Sequence, residues 1–108
     1  MIKKELSKVK ANNVEKDPVT SDITFEIDNY KLCIKGNHPY ISDRGYVYLY
    51  LASMGLSVSR IAELVIRYTD INVIDNDGEL IVYTTSNLSD DISLLIKNIR
   101  RLTVDKLH

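Results

Sequence analysis

The sequence predicts an α+β fold: an antiparallel sheet, made of a three-stranded meander plus a hairpin, packed against three helices, with a further short helix at the N-terminus. Two observations predict it. Apolar and polar residues alternate with the period of a β-strand in several short segments, and apolar residues recur with helical spacing in three longer ones. Because short turns separate the strands, we expect antiparallel pairing, with helices on one face burying both sets of apolar residues.

The composition is that of one folded domain. The chain has 108 residues, of which 44% are hydrophobic and 27% are charged, and this length leaves no room for a second core. Cys33 is the single cysteine, so no internal disulfide is possible. No stretch approaches the roughly 20 apolar residues that a membrane span requires. The sequence therefore predicts a cytoplasmic protein without a membrane segment.

The N-terminal segment predicts a short amphipathic helix followed by a linker. Its apolar residues lie one helical turn apart and are followed by two asparagines. Residues 14–22 contain an Asp-Pro pair among mixed polar residues, as linkers often do. We therefore divide the chain into an N-terminal helix and linker, 1–22, and a single α+β domain, 23–108. Whether the helix packs on the domain is left open.

The meander is predicted from three alternating segments. Residues 23–27, 31–35 and 40–42 each alternate apolar with polar side chains. Asp28-Asn29 and Gly36-Asn37 stand between them, and these residue types favour tight turns. One face of the resulting sheet is expected to be apolar and the other polar.

Two helices are predicted next. From Tyr46 the spacing of apolar residues becomes helical, and Asp43 is expected to cap this helix by accepting N–H bonds from its first turn. Gly55 has the position and chemistry of a left-handed C-cap. Ser57 or Ser59 is expected to cap the second helix, whose wide apolar stripe predicts that it is the most buried helix.

A hairpin and a long helix are predicted to complete the fold. Residues 71–74 and 79–84 are predicted strands, and Asp75-Asn76-Asp77-Gly78 between them is a strong hairpin signal. Asn87 is expected to cap the closing helix, with Asp90 three residues later approximating a capping box.

Residues 23–107 resemble a family known as domain of unknown function 1828. The resemblance depends on a hydrophobic-Ser/Thr-Asp-x-Gly stretch at 41–45, a helix with Leu51 and a terminal Gly55, and an Asp-Gly turn at 77–78. The family is similar to small proteins of low-GC bacteria and their prophages. The resemblance therefore implies a protein of a phage or other mobile element, and it brings no catalytic residue with it.

The sequence contains no recognisable catalytic or metal-binding set. Asp43 precedes an Arg-Gly pair and could act as a base or metal ligand, but helix capping is favoured. Residues 75–79 resemble the start of a calcium loop but lack its later bidentate Glu. A nucleophilic pair of Cys33 with His38 has no supporting signature. We therefore predict a protein that is not an enzyme and has no cofactor or metal, with an enzyme centred on Asp43 or Cys33 as an alternative.

Charge is unevenly distributed along the chain. Residues 1–10 carry four lysines and one glutamate, and residues 97–108 carry four basic residues and one aspartate. Residues 11–96 carry six basic and thirteen acidic residues. If the basic ends meet in space, they form one patch, which predicts nucleic-acid binding as an alternative function. A second route to it is a helix-turn-helix-like unit at 51–68.

The leading hypothesis is a non-enzymatic protein-interaction module. It would bind a host protein such as a defence nuclease and could inhibit it, with the acidic middle of the chain competing for a basic channel. Because Tyr46, Tyr48 and Tyr50 fall on different sides of a helix, at least one is expected to be exposed. A homodimer is an additional hypothesis. The candidate interaction residues are Asp43, Arg44, Tyr46, Tyr50, Lys3, Lys4, Lys97, Arg100 and Arg101.

Overall fold

The computed structural model describes residues 2–37 and 39–104, with side chains from Lys4 onward. His38, the side chain of Lys3 and residues 105–108 of the predicted basic C-terminal end lie outside the described residues. The helices are α1 (Ile2–Lys8), α2 (Tyr46–Ser53), α3 (Val58–Tyr68) and α4 (Leu88–Thr103). The strands are β1 (Asn12–Lys16), β2 (Ile23–Ile27), β3 (Tyr30–Ile34), β4 (Tyr40–Ser42), β5 (Ile74–Asn76) and β6 (Glu79–Tyr83).

The described strands form one sheet of six in the order β1-β2-β3-β4-β6-β5, and every neighbouring pair is antiparallel. The predicted α+β class is confirmed. The predicted meander is β2-β3-β4, and the predicted hairpin is β5-β6. The pairing of β4 with β6 joins the two into a continuous sheet.

The core lies between one face of the sheet and the helices. Phe25 pairs with Leu32, and Ile41 pairs with both Ile34 and Val82, so these side chains share one face. All five belong to the same buried cluster as the apolar side chains of the helices. The helical members of that cluster are Leu6, Val47, Leu51, Ile61, Leu64, Val65, Ile92, Leu95, Ile96, Ile99 and Leu102.

Residues 12–16 form a strand, β1, that runs into the segment predicted as a linker. It pairs with β2, and all five of its residues are exposed. An edge strand of this kind is held by main-chain hydrogen bonds and buries neither face, so it lacks the alternation by which the other strands were recognised. Beyond it, the Asp17 carboxylate accepts the N–H groups of Val19 (2.8 Å) and Thr20 (3.3 Å) and shapes the turn into β2.

The strand predicted at 71–74 lies three residues further along the chain. Only Ile74 of that segment belongs to β5, and Asn76 pairs with Glu79 across the turn. The turn is therefore Asp77-Gly78, with φ angles of 54° and 92°. Two consecutive residues with positive φ define a two-residue hairpin turn, which matches the twist of the flanking strands.

The prediction that the second helix is the most buried was wrong. Eight residues of α4 are buried, compared with three of α3. The reason is position, since α4 packs against the central strands β4 and β6, whereas α3 contacts the edge strand β5. No described helix combines the length and apolarity needed to cross a membrane.

The caps predicted at Ser57, Asn87 and Gly55 are confirmed, whereas the predicted capping box is only half formed, because the N–H of Asn87 bonds to the Thr85 hydroxyl rather than to Asp90. Ser57 accepts the N–H of Arg60 at 3.2 Å, and Asn87 accepts that of Asp90 at 3.3 Å. Gly55 ends α2 with a φ of 91°, a conformation that costs glycine little. These local bonds satisfy helix-end groups that would otherwise depend on water.

A polar network around Asp70 predicts a loss of stability in acid. Asn98, Lys97 and Arg101 lower the pKa of Asp70, with the Asn98 amide as the largest cause. Because the folded pKa is depressed, the stabilisation is present above the unfolded value near 3.8 and is lost as the pH falls through the folded pKa. We expect urea unfolding to show falling stability below about pH 4, and the Asp70→Asn variant to show a flatter profile. Identical profiles would contradict a contribution from this network.

Candidate functional site

Asp43 is fully buried (0% exposed) at the end of β4. Its Oδ1 accepts the N–H groups of Gly45 (2.8 Å) and Leu80 (3.0 Å), and its Oδ2 accepts that of Val47 (3.1 Å). The bond from Val47 lies in the first turn of α2, as predicted, although the N-cap position itself is Gly45 rather than Asp43. The bond from Leu80 also fastens the start of α2 to β6, which the sequence does not reveal.

The carboxylate of Asp43 thus has a structural role, because it accepts three hydrogen bonds from backbone N–H groups. Burial raises its pKa, and the three N–H donors act in the opposite direction by favouring the ionised form. With its oxygens turned to buried N–H groups, Asp43 does not lie on the accessible surface, although the sequence placed it among the candidate interaction residues. The neighbouring Arg44 is exposed, and its N–H bonds to the hydroxyl of Ser42 at 2.9 Å.

The three tyrosines of α2 are all half-buried, so the expectation that at least one is exposed was wrong. Tyr46 stacks on Tyr50 with ring centroids 6.0 Å apart and meets the edge of Tyr30 at 5.4 Å. Tyr48 points the other way, where its hydroxyl bonds to the Asp75 carboxylate. Burial, assisted by Asp75, raises the pKa of Tyr48. Tyr46 and Tyr50 therefore pack on neighbouring rings and are only partly accessible to a partner.

The largest exposed apolar side chains of the helices lie on α2 and α3. Leu49 on α2 is 70% exposed, and on α3 Val58 is 72% and Ile66 79% exposed. Val58, Ala62 and Ile66 are spaced four residues apart, so they line one side of α3. We call Leu49, Val58, Ala62 and Ile66, with the exposed Met54 between the helices, the apolar ridge.

The apolar ridge was not predicted from the sequence, although its signal was present. The apolar stripe of α3 is too wide for the core, which accepts only Ile61, Leu64 and Val65. Val58 and Ile66, at the side of that stripe, are left exposed to solvent. A stripe wider than one buried face is the feature that identifies such a surface in a sequence.

The helix-turn-helix-like interpretation of 51–68 is not favoured by the surface of α3. The structure does contain two helices joined at Gly55. However, the exposed side of the second helix carries Val58 and Ile66, and Arg60 is paired with Glu63 on the same helix. Reading DNA needs several donors that reach phosphates and base edges, and the basic residues of α3 are limited to Arg60, which is paired, and Arg67.

Of the described basic residues at the two ends, Lys8, Lys97 and Arg100 lie together in the structure. Helix α1 packs on α4, and a cleft of about 810 Å³ is lined by Lys8 from α1 and by Lys97 and Arg100 from α4. The guanidinium of Arg100 donates to the carboxylate of Asp28. Arg101 faces elsewhere, because its guanidinium donates to the carbonyl oxygen of Tyr68 at 2.9 Å.

A second cleft of about 590 Å³ lies on the other side of α1 and also contains Lys8. We call it the lysine cleft. Its walls carry the charged residues Lys4, Glu5, Lys8, Lys16 and Lys35, and its apolar residues are Ile23, Ile34, Pro39 and Leu88. Thr84, Thr85 and Ser86 also line the cleft and supply hydroxyl groups.

Among the described residues, potential metal ligands are dispersed, and the single thiol is buried. Within the described parts of the chain, no three His, Cys, Asp or Glu side chains are placed to hold a metal ion. Cys33 is buried, and desolvation raises the pKa of its thiol, which disfavours the reactive thiolate.

No protein-family model, curated protein or solved structure matches this sequence. The resemblance to domain of unknown function 1828 therefore stays a prediction. Inference about function depends on the surfaces themselves, which are the apolar ridge at the β5 end of the sheet and the lysine cleft beside α1.

Proposed function

We propose that this chain is a non-enzymatic protein-interaction module that binds a protein partner through the apolar ridge. The observation that carries the proposal is the line of Val58, Ala62 and Ile66 on the outer flank of α3. Several large exposed apolar side chains on one side of a helix are typical of an interaction site.

The ridge matches a known mode of recognition. An amphipathic helix can place residues of spacing i, i+4 and i+8 into an apolar groove of a partner. Fully burying a Val, Leu, Ile or Met side chain contributes about 1.5–3 kcal/mol. Four such side chains therefore supply enough gross energy for specific association, even after the loss of rotational and translational freedom.

The charges beside the ridge indicate the chemistry of the partner. Helix α3 contacts β5, and the β5–β6 hairpin carries the exposed Asp77 together with the half-buried Asp75 and Glu79, which accept from Tyr48 and Ser42. Arg60, by contrast, is paired with Glu63. We propose a partner whose apolar groove has a basic rim, as in a nucleic-acid-handling enzyme. A host defence nuclease, bound and inhibited by a phage or mobile-element protein, fits this description.

Replacing two ridge residues by acids is expected to abolish capture of the partner. In the double variant Val58→Asp/Ile66→Asp, two carboxylates would have to be buried in an apolar groove, and each costs several kcal/mol when unpaired. The measurement is affinity capture from the source organism with quantitative mass spectrometry, followed by titration of the captured protein. We expect binding to weaken at least about 100-fold. Both positions are exposed, so the thermal stability of the variant should be nearly unchanged.

The matched control is Ser7→Asp/Ser93→Asp, which adds two acids at exposed positions on α1 and α4. It should retain the partner. A protein that is captured equally by the ridge variant and by the wild type would contradict the proposal. So would a homodimer, measured by light scattering, that the ridge variant dissociates, because the occupant of the ridge would then be a second copy of the chain.

A further inference from the structure

We propose that the lysine cleft binds a nucleotide, either free or as a unit of a single nucleic-acid strand, with its phosphate against the lysines and its base on the apolar floor. The site is separate from the apolar ridge. The cleft is built from α1, β1, β2, β3 and the residues up to the start of α4, whereas the ridge lies on α2 and α3. The proposal is therefore independent of the protein partner.

The charge of the cleft calls for an anion. Lys8 pairs with Glu5 at 2.8 Å, and Lys35 pairs with Asp22 at 3.2 Å. Lys4 and Lys16 make no ion pair with any other described residue. Two cations without a counter-charge thus face one cavity. A phosphate group offers several acceptor oxygens and up to two negative charges, which complements such a pair.

The apolar floor of the cleft favours a ligand that has an apolar part as well as an anionic group. Ile23, Ile34 and Leu88 present apolar surface to the cavity, which phosphate alone would leave in contact with water. Its volume of about 590 Å³ lies in the range of small-molecule sites. A base ring is flat and weakly polar and covers such a floor, while the hydroxyls of Ser21 and Ser86 at the rim can bond to polar ring or sugar atoms.

Lys8 links the two clefts. Its side chain lines both the lysine cleft and the cleft that contains Lys97 and Arg100. A single strand that places one nucleotide in the lysine cleft can therefore carry its next phosphates around α1 toward α4. This arrangement predicts tighter binding of an oligonucleotide than of a mononucleotide, with an affinity that falls as salt increases.

The test compares ADP with single-stranded oligothymidylate, using calorimetry and fluorescence anisotropy at low and physiological salt. We expect both probes to bind the wild-type chain. The double variant Lys4→Ala/Lys16→Ala should weaken binding at least about tenfold, and for the oligonucleotide it should reduce the slope of log K against log salt by about 1.4. Lys31→Ala/Arg67→Ala removes the same charge from exposed positions outside both clefts and should bind as the wild type does.

The outcomes separate the two sources of the ligand. Tighter binding of oligothymidylate supports a nucleic-acid strand, and equal or tighter binding of ADP supports a free nucleotide. If neither probe binds at low salt, the proposal is overturned. The same holds if the two double variants lose affinity equally, because the effect would then reflect net charge rather than the cleft. Thermal unfolding of each variant verifies that its fold is retained.

Discussion

The Asp43→Ala variant is expected to lose about 3–5 kcal/mol of its free energy of unfolding, a large effect for the replacement of a single polar side chain. The change leaves the N–H groups of Gly45, Val47 and Leu80 without their acceptor in a buried place. Domains of this size are stable by only about 5–15 kcal/mol. Urea unfolding followed by circular dichroism measures the loss directly.

Two further variants identify the origin of this effect. Asp43→Asn keeps one carbonyl oxygen, which can still accept from Gly45 and Leu80, so we expect a smaller loss of about 1–3 kcal/mol. Arg44→Ala changes an exposed neighbour and should be close to neutral. An Asp43→Ala protein with wild-type stability would show that these hydrogen bonds contribute nothing. A stable Asp43→Asn protein that lost all function would favour the alternative in which Asp43 is a chemical group.

The Leu6→Ala variant is expected to lose about 2–5 kcal/mol. Leu6 is only 2% exposed and belongs to the main core, so truncating it removes apolar contacts and leaves a cavity between α1 and the rest of the domain. The measurement is again urea unfolding, with Ser7→Ala as a control at an exposed position of the same helix. The control should change stability by no more than about 0.5 kcal/mol.

The stability of the Leu6→Ala variant also bears on the clefts. Because α1 supplies Lys4 and Lys8, loosening this helix should weaken nucleotide binding as well as the fold. If Leu6→Ala were as stable as the Ser7→Ala control, α1 would be a segment without a structural role. The clefts beside it would then lack a fixed wall.

Much of the fold follows from local sequence. Residues 23–27 alternate because only one face of β2 is buried, and alternation reports this directly, whereas β3 and β4 are buried on both faces at Cys33 and Ser42. Ser57, Asn87 and Gly55 were identified because each supplies a specific bond or backbone angle at a helix end. The sequence of β1 shows no alternation of apolar and polar residues, because this exposed edge strand buries neither face.

The surfaces were harder to predict than the fold. That Lys8 meets Lys97 and Arg100 depends on the packing of α1 against α4, which brings together residues almost ninety positions apart. The sequence could state only that the basic ends form one patch if they meet. At Asp43 the sequence predicted a surface residue where there is none. An Asp-x-Gly stretch resembles a functional motif, but the carboxylate of Asp43 accepts backbone N–H groups inside the fold.

Carbene footprinting of the chain in complex with its captured partner tests the central proposal most directly. We predict that labelling falls at Leu49, Val58 and Ile66 when the partner binds. Labelling at Val19, which is exposed in the turn after β1 at the opposite end of the sheet, should stay unchanged. Protection confined to β1 or α1, with the residues of the apolar ridge labelled as in the free chain, would contradict the proposal.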